Sequence, residues 1–164
     1  MKNIVPFVLF ASTLFAGAAA HAQGTIIGDI EGGEFRPFPI AVTNARTAAG
    51  SDAAKNTAAL VTRIVREDLA LSGAFQVLEA KSFIDTDGMT QATVRFPDWV
   101  NVGAQGLVKM QLKDEGGKLS VELHGFEVAP QKEGLTKTLD GTKEGARQLA
   151  HAVADEVFRY FRCV

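Results

Sequence analysis

Between Phe38 and Leu78 the chain reads as strand, helix and strand, and that order constrains the fold more than any other feature. Phe38-Pro39-Ile40-Ala41-Val42 has strand composition, and Pro39, which donates no backbone hydrogen bond, predicts a strand start or an edge position. From about Ala53 to Ser72 the apolar spacing becomes helical: Leu60, Val61, Ile64, Val65 and Leu69 share one face, while Arg63, Arg66 and Glu67 point elsewhere. Ser51 or Asp52 is placed to cap the start, and Gly73 to take the left-handed position after the end. Burying those apolar side chains contributes on the order of 10 kcal/mol gross, before conformational entropy is subtracted. Phe75-Gln76-Val77-Leu78 then returns as a strand. Two strands joined through a helix of this length make a crossover unit, which predicts parallel, right-handed pairing.

An irregular segment from Ala80 to about Gln105 follows, with short helical turns predicted at Lys81-Ser82-Phe83 and at Pro97-Asp98-Trp99. Phe96 and Trp99 flank Pro97-Asp98, a spacing that anchors a loop onto a core. Leu107 to Lys113, a turn at Asp114-Glu115-Gly116-Gly117, and Lys118 to Glu127 predict an antiparallel hairpin. Val108, Met110 and Leu112 alternate with Lys109, Gln111 and Lys113, and Leu119, Val121 and Leu123 with Ser120, Glu122 and His124. One face is therefore expected to be covered and the other wetter, with His124 pointing outward. Gly134 to Leu139 is a candidate further strand. A last helix is predicted from about Lys143 to Phe161, with Ala146, Leu149, Ala150, Val153, Val157, Phe158 and Phe161 as its apolar stripe. The pattern as a whole predicts an α/β domain, a mixed β-sheet packed with two main amphipathic helices.

The chain opens with Lys2, an apolar run from Ile4 to Ala20, and Ala20-His21-Ala22. That layout is a secretory leader, expected to occupy residues 1–22 and to be cleaved before Gln23. About 140 residues remain, enough for one core. With 17 Lys and Arg against 19 Asp and Glu, both signs scattered, the chain has a formal net charge of −2, and nothing favours nucleic acid or insertion into a membrane after cleavage. Cys163 is the single cysteine, so no internal disulfide forms and stability must come from packing.

Candidate chemistry is sparse. His21 leaves with the leader, His124 and His151 stand on different elements, and no His/Cys/Asp spacing of a metal centre is present. Asp85-Thr86-Asp87-Gly88 begins like a calcium loop but lacks the later acidic positions, so a polar turn is expected. Gly28-Asp29-Ile30-Glu31-Gly32-Gly33 has no helix after it to hold a phosphate, and Ser72-Gly73 is a helix ending with no nucleophile elbow around it. Asp155 and Glu156 beside Arg159 suit a solvated face with local ion pairs. Neither a catalytic residue, a metal nor a cofactor is expected. Thr25, Ile26, Ile27, Gly28, Asp29 and Ile30 form a short β-branched stretch tethered by Glu31-Gly32-Gly33. Such an arm can add to the edge of a partner's sheet, or serve as an edge strand of its own domain.

Four stretches in sequence resemble the amino-terminal domain of the TolB family. They are Ile26 to Ile30 followed by Phe38 to Val42; Asp68-Leu69-Ala70-Leu71-Ser72-Gly73-Ala74-Phe75; Arg95-Phe96-Pro97-Asp98-Trp99 with Gly103-Ala104; and Ala150 to Val157. The resemblance implies an anticodon-binding-domain-like α/β layout, with an arm at 23–36 and the domain at 37–161. It further implies a non-enzymatic periplasmic role in the Tol-Pal system, which supports outer-membrane integrity and division and is exploited for bacteriocin import. In that family the arm docks on the C-terminal domain of TolA, and a β-propeller engages the lipoprotein Pal. Here Phe161 is followed by Arg162-Cys163-Val164 where the family continues into the propeller, so residues 162–164 are expected to be a truncated tail and Pal binding is in doubt. The competing classes are another periplasmic assembly module of similar fold, such as a regulator of wall synthesis, and an enzyme, which would need a polar pocket.

Overall fold

The computed structural model describes residues 35–162 apart from 49 and 85; the leader, Thr25 to Ile30 and Cys163 lie outside the described residues. β1 (Phe38–Val42), α1 (Asp52–Leu71) and β3 (Phe75–Val77) form the expected crossover unit, with β1 and β3 parallel and Phe38 opposite Phe75. Ser51, not Asp52, is the cap: its side chain accepts from the Ala54 N–H at 3.2 Å, satisfying one of the amides that a helix start leaves open. At the other end Gly73 adopts φ +69°, a conformation that costs glycine nothing sterically.

The sheet order is β3-β1-β4-β5-β6, with a short β2 (Arg46–Thr47) also pairing with β4. β1 is therefore internal. Pro39 is tolerated because β4 (Gly106–Glu115) begins to pair with β1 only at Ile40, so the missing N–H falls just outside that ladder. Of the two positions the sequence allowed, the strand start holds and the edge does not. β2 carried no sequence signal; two residues are too few for a period.

β4 and β5 (Lys118–Glu127) form the predicted hairpin, turning on Gly116 and Gly117 at φ +62° and +90°. β6 (Lys132–Thr142) runs antiparallel on β5 with a bulge near Gly125/Phe126. It extends past the predicted Gly134 to Leu139 at both ends, because β5 supplies main-chain partners where the sequence is polar. α3 (Ala146–Arg162) starts later than the predicted Lys143, since the Thr142 hydroxyl accepts from the Gly145 N–H at 3.1 Å and holds a turn there.

Both sheet faces are covered. On one, α1 and α3 pack Val61, Val65, Leu69, Leu149, Val153 and Val157 against Ile40, Val42, Met110, Leu112 and Leu123. On the other, α2 (Phe96–Asn101) brings Phe96 and Trp99 onto Ala41, Leu107 and Phe126. Phe96 and Trp99 thus anchor the irregular segment as expected, with Pro97 at the second helical position, and a 3₁₀ turn at Ala80–Ser82 precedes them. The second layer corrects the expectation of a wet face. His124, placed outward by alternation, is 5% exposed, and Lys109 is fully buried with its ammonium 5.3 Å from the centre of the Trp99 ring.

Val153 is fully buried between α1 and the sheet. Val153→Asp is expected to cost about 3 kcal/mol or more in chemical denaturation, by burying a charge with no counterion. A change below 1 kcal/mol would show that α3 does not pack in this way.

Candidate partner-docking site

The candidate binding residues Thr25 to Ile30 lie outside the described residues, and the described chain begins at Phe35. Phe35, Arg36 and Pro37 lead directly into β1. The Phe38 ring meets Phe75 edge-on at 6.1 Å and Phe161 at 5.4 Å; Phe75 in turn meets Phe158 and Phe161 edge-on at 5.8 and 6.5 Å. Such pairs contribute about 0.5–1.5 kcal/mol each beyond area burial. The sequence placed Phe158 and Phe161 on the α3 stripe; the partner they share at the start of β1 is a tertiary feature. Phe158 remains 36% exposed, at the margin of the core.

Gly106 makes the cluster possible. A Cβ there would stand 2.7 Å from Phe38 Cε1 and 2.9 Å from Phe161 Cε1, distances that real carbon contacts do not show. Tyr160, 4.7 Å from the Phe161 ring, donates its hydroxyl to Glu127 Oε1 at 2.7 Å. Burial, reinforced by that carboxylate, pushes the phenol up to about 12, so it stays a neutral donor. Phe35 itself is 63% exposed, with the Arg162 guanidinium 6.0 Å from its ring centre. Arg36, Phe38, Gln76, Gln105 and Arg162 line an open cleft of about 560 Å³ beside it.

Next to this root lies one of two sheet edges with no further strand among the described residues. β3 is three residues long, and since the Ala74 carbonyl and the Leu78 N–H bond β1, the main chain of Phe75 and Val77 faces away from it. β6 is the other edge, blunted by Lys137, which pairs with Glu156 at 2.8 Å. That hydrogen bond, opposed by burial and helped by Arg159 at 2.6 Å, holds the Glu156 carboxyl below its usual range. The solvated face with local ion pairs expected around Arg159 is present.

A second polar cluster sits on the α2 side. His124 Nδ1 lies 2.5 Å from Glu133 Oε1 and Nε2 lies 3.2 Å from Glu122 Oε1, with the ring stacked on Phe126. Burial would raise the Glu133 carboxyl, but hydrogen bonds from His124, Thr136 and the Gln91 N–H hold it below the usual range. Glu133 N–H donates to Gln91 Oε1 at 3.2 Å, so the cluster pins the irregular segment to β6. His151, by contrast, is exposed and bridges α3 to α1 through Asp68 at 2.6 Å. No group of three His, Cys, Asp or Glu able to hold a metal occurs among the described residues, and no described helix is long and apolar enough to cross a membrane.

These features define a mixed-sheet α/β domain covered on both faces and open at two edges. The family described as the TolB amino-terminal domain matches residues 28–134, and the chain belongs to that family. It is 38% identical over 163 residues to the Tol-Pal system protein TolB of Anaeromyxobacter dehalogenans, covering 98% of this chain and 36% of that protein. The Myxococcus xanthus protein of the same description is 37% identical over 156 residues, covering 94% and 36%. This chain therefore spans about a third of the length of these relatives. In fold it resembles TolB from Acinetobacter baumannii, with a TM-score of 0.62 at 19% identity over 79% of this chain and 29% of that one. It also resembles the LpoB C-terminal domain from Salmonella enterica, at 0.51 and 16% over 68% and 87%.

Two outcomes follow from the site. Gly106→Ala is expected to lower stability by about 1–3 kcal/mol, through overpacking against Phe38 and Phe161; an unchanged denaturation midpoint would mean that the aromatic cluster yields freely. Because the Glu133 carboxyl is depressed in the folded chain, its contribution is present above the ordinary value of 4.5 and is lost as pH falls through the folded value. Glu133→Gln should thus lower the melting temperature at pH 7, and the gap to the parent should narrow as the pH is lowered below 4.5. A gap that is constant with pH would remove the carboxylate charge from the account.

Proposed function

We propose that this chain is a non-enzymatic docking module of the Tol-Pal system in the periplasm, engaging the C-terminal domain of TolA through Thr25, Ile26, Ile27, Gly28, Asp29 and Ile30. The observation that carries this reading is the fixed root of the arm. Phe38 is locked among Phe75 and Phe161 over Gly106, while a few residues upstream Gly32 and Gly33 tether a stretch of β-branched residues too short to form a core. Strand addition suits such a stretch: main-chain bonds give affinity, and alternate side chains give selectivity. The descriptions of the relatives as Tol-Pal system proteins support the system, and the leader at residues 1–22 supports the compartment. Binding of Pal belongs, by the family resemblance, to a propeller beyond the matched third and is not assigned here.

The test is a titration of a TolA C-terminal domain with the mature chain, with a form starting at Glu34, and with Gly28→Pro. The mature chain should bind, the shortened form should lose binding, and Gly28→Pro should weaken it strongly by deleting a main-chain donor and restricting the backbone. Melting temperatures should stay close for all three, since both helical stripes and the hairpin remain. Equal affinity for all three forms would take the arm out of the mechanism.

A further inference from the structure

β3 stops at Val77, opposite Ile40, so the outer side of the chain from Val42 through β2 has no neighbouring strand there. α1 covers it with side chains instead. The Thr62 hydroxyl accepts from the Ala45 N–H at 2.8 Å and donates to the Ala58 carbonyl at 2.8 Å. Arg66 donates from Nε at 3.0 Å and from Nη2 to the Val42 carbonyl, and from Nη2 to Asn44 Oδ1 at 3.2 Å. These acceptors are neutral oxygens, so they position the guanidinium without cancelling its charge, and Nη1 takes part in none of these bonds.

A groove of about 490 Å³ runs between this cap and α1. Its floor includes the small side chains of Ala45 and Ala58, which let another chain approach closely. Lys55, Arg63 and Arg66 line it against one carboxylate, Glu67, which is already engaged by Arg63 at 2.9 Å; Lys55 lies 3.6 Å from the exposed Asp52 outside the groove. The groove is thus positive on a chain whose formal net charge is −2. Half-burial lowers the Arg66 pKa, the mark of a cation short of water. The groove also lies at the opposite end of the β1–β2 line from Phe38.

We propose that this groove is a second docking site, taking an acidic extended segment of a partner protein with one Asp or Glu carboxylate seated on Arg66 and flanked by Lys55 and Arg63. A half-buried guanidinium held by neutral acceptors is pre-positioned for a carboxylate, and the pair forms with less competition from water than one on an open surface. This proposal does not rest on the arm; either can fail alone.

The test uses the isotope-labelled mature chain and two acetylated, amidated hexapeptides, Thr-Glu-Val-Glu-Thr-Glu and the same peptide with Gln for Glu. The Glu peptide should produce saturable NMR shifts at the Ala45 and Ala58 amides and at the Arg66 side-chain N–H, with the Gln peptide at least about tenfold weaker. Arg66 braces Val42 and Asn44, so the informative variant is Lys55→Glu with Arg63→Glu, which leaves that brace intact and should weaken the Glu peptide about tenfold or more. Equal affinity for the two peptides, indifference to the double variant, or the absence of saturable shifts would overturn the proposal. So would acetate giving the same shifts at equal carboxylate concentration, since the groove would then attract small anions in general.

Discussion

β4 is hydrogen-bonded along both sides, to β1 and β2 in parallel and to β5 antiparallel, and from Gly106 to Met110 it is buried on both faces. Leu107, Val108, Lys109, Met110 and Leu112 are all fully buried. Two layers follow from this: α1 and α3 take the face of Val108, Met110 and Leu112, while α2 takes the face of Leu107 and Lys109. The same strand begins at Gly106, where the absent side chain lets Phe38 and Phe161 close over it. The start of β1, where the described chain enters the sheet, is therefore packed onto the start of β4. Position there is fixed by the core from Phe38 onward.

The elements with strong local signals were legible in the sequence. α1 has an unbroken apolar stripe, a serine cap and a glycine stop, and all three appear where the residues put them. The hairpin likewise follows from alternation around two glycines. What alternation could not supply was the cover on the second face. It reads Lys109 and His124 as outward, whereas Trp99 of the six-residue helix α2 lies over Lys109, and Glu122, Glu133 and Phe126 close round His124. Nor does a local pattern reveal that Glu133, nine residues on from His124, closes on its ring, or that Thr62 and Arg66 cap the break between β1 and β2. Those are long-range polar contacts, chosen by the packed structure. The proposed arm rests on composition, and its proposed partner on the family resemblance.

On the proposed reading, affinity and stability are carried by different parts of the chain. The helical stripes and the hairpin hold the domain together. The proposed arm is short and β-branched and is followed by two consecutive glycines, a composition that suits pairing with a partner's sheet edge. The groove on α1 adds a positive surface at the far end of β1 and β2, where we propose that an acidic segment is held by charge.

The most direct measurement is hydrogen–deuterium exchange of the mature chain, alone and saturated with the TolA C-terminal domain. Strand addition predicts new protection at residues 25–30, tapering off by Phe38, with exchange across β4 and β5 unchanged. Protection confined to the sheet or to α1, with residues 25–30 exchanging as in the free chain, would contradict the account and move the docking surface onto the folded domain.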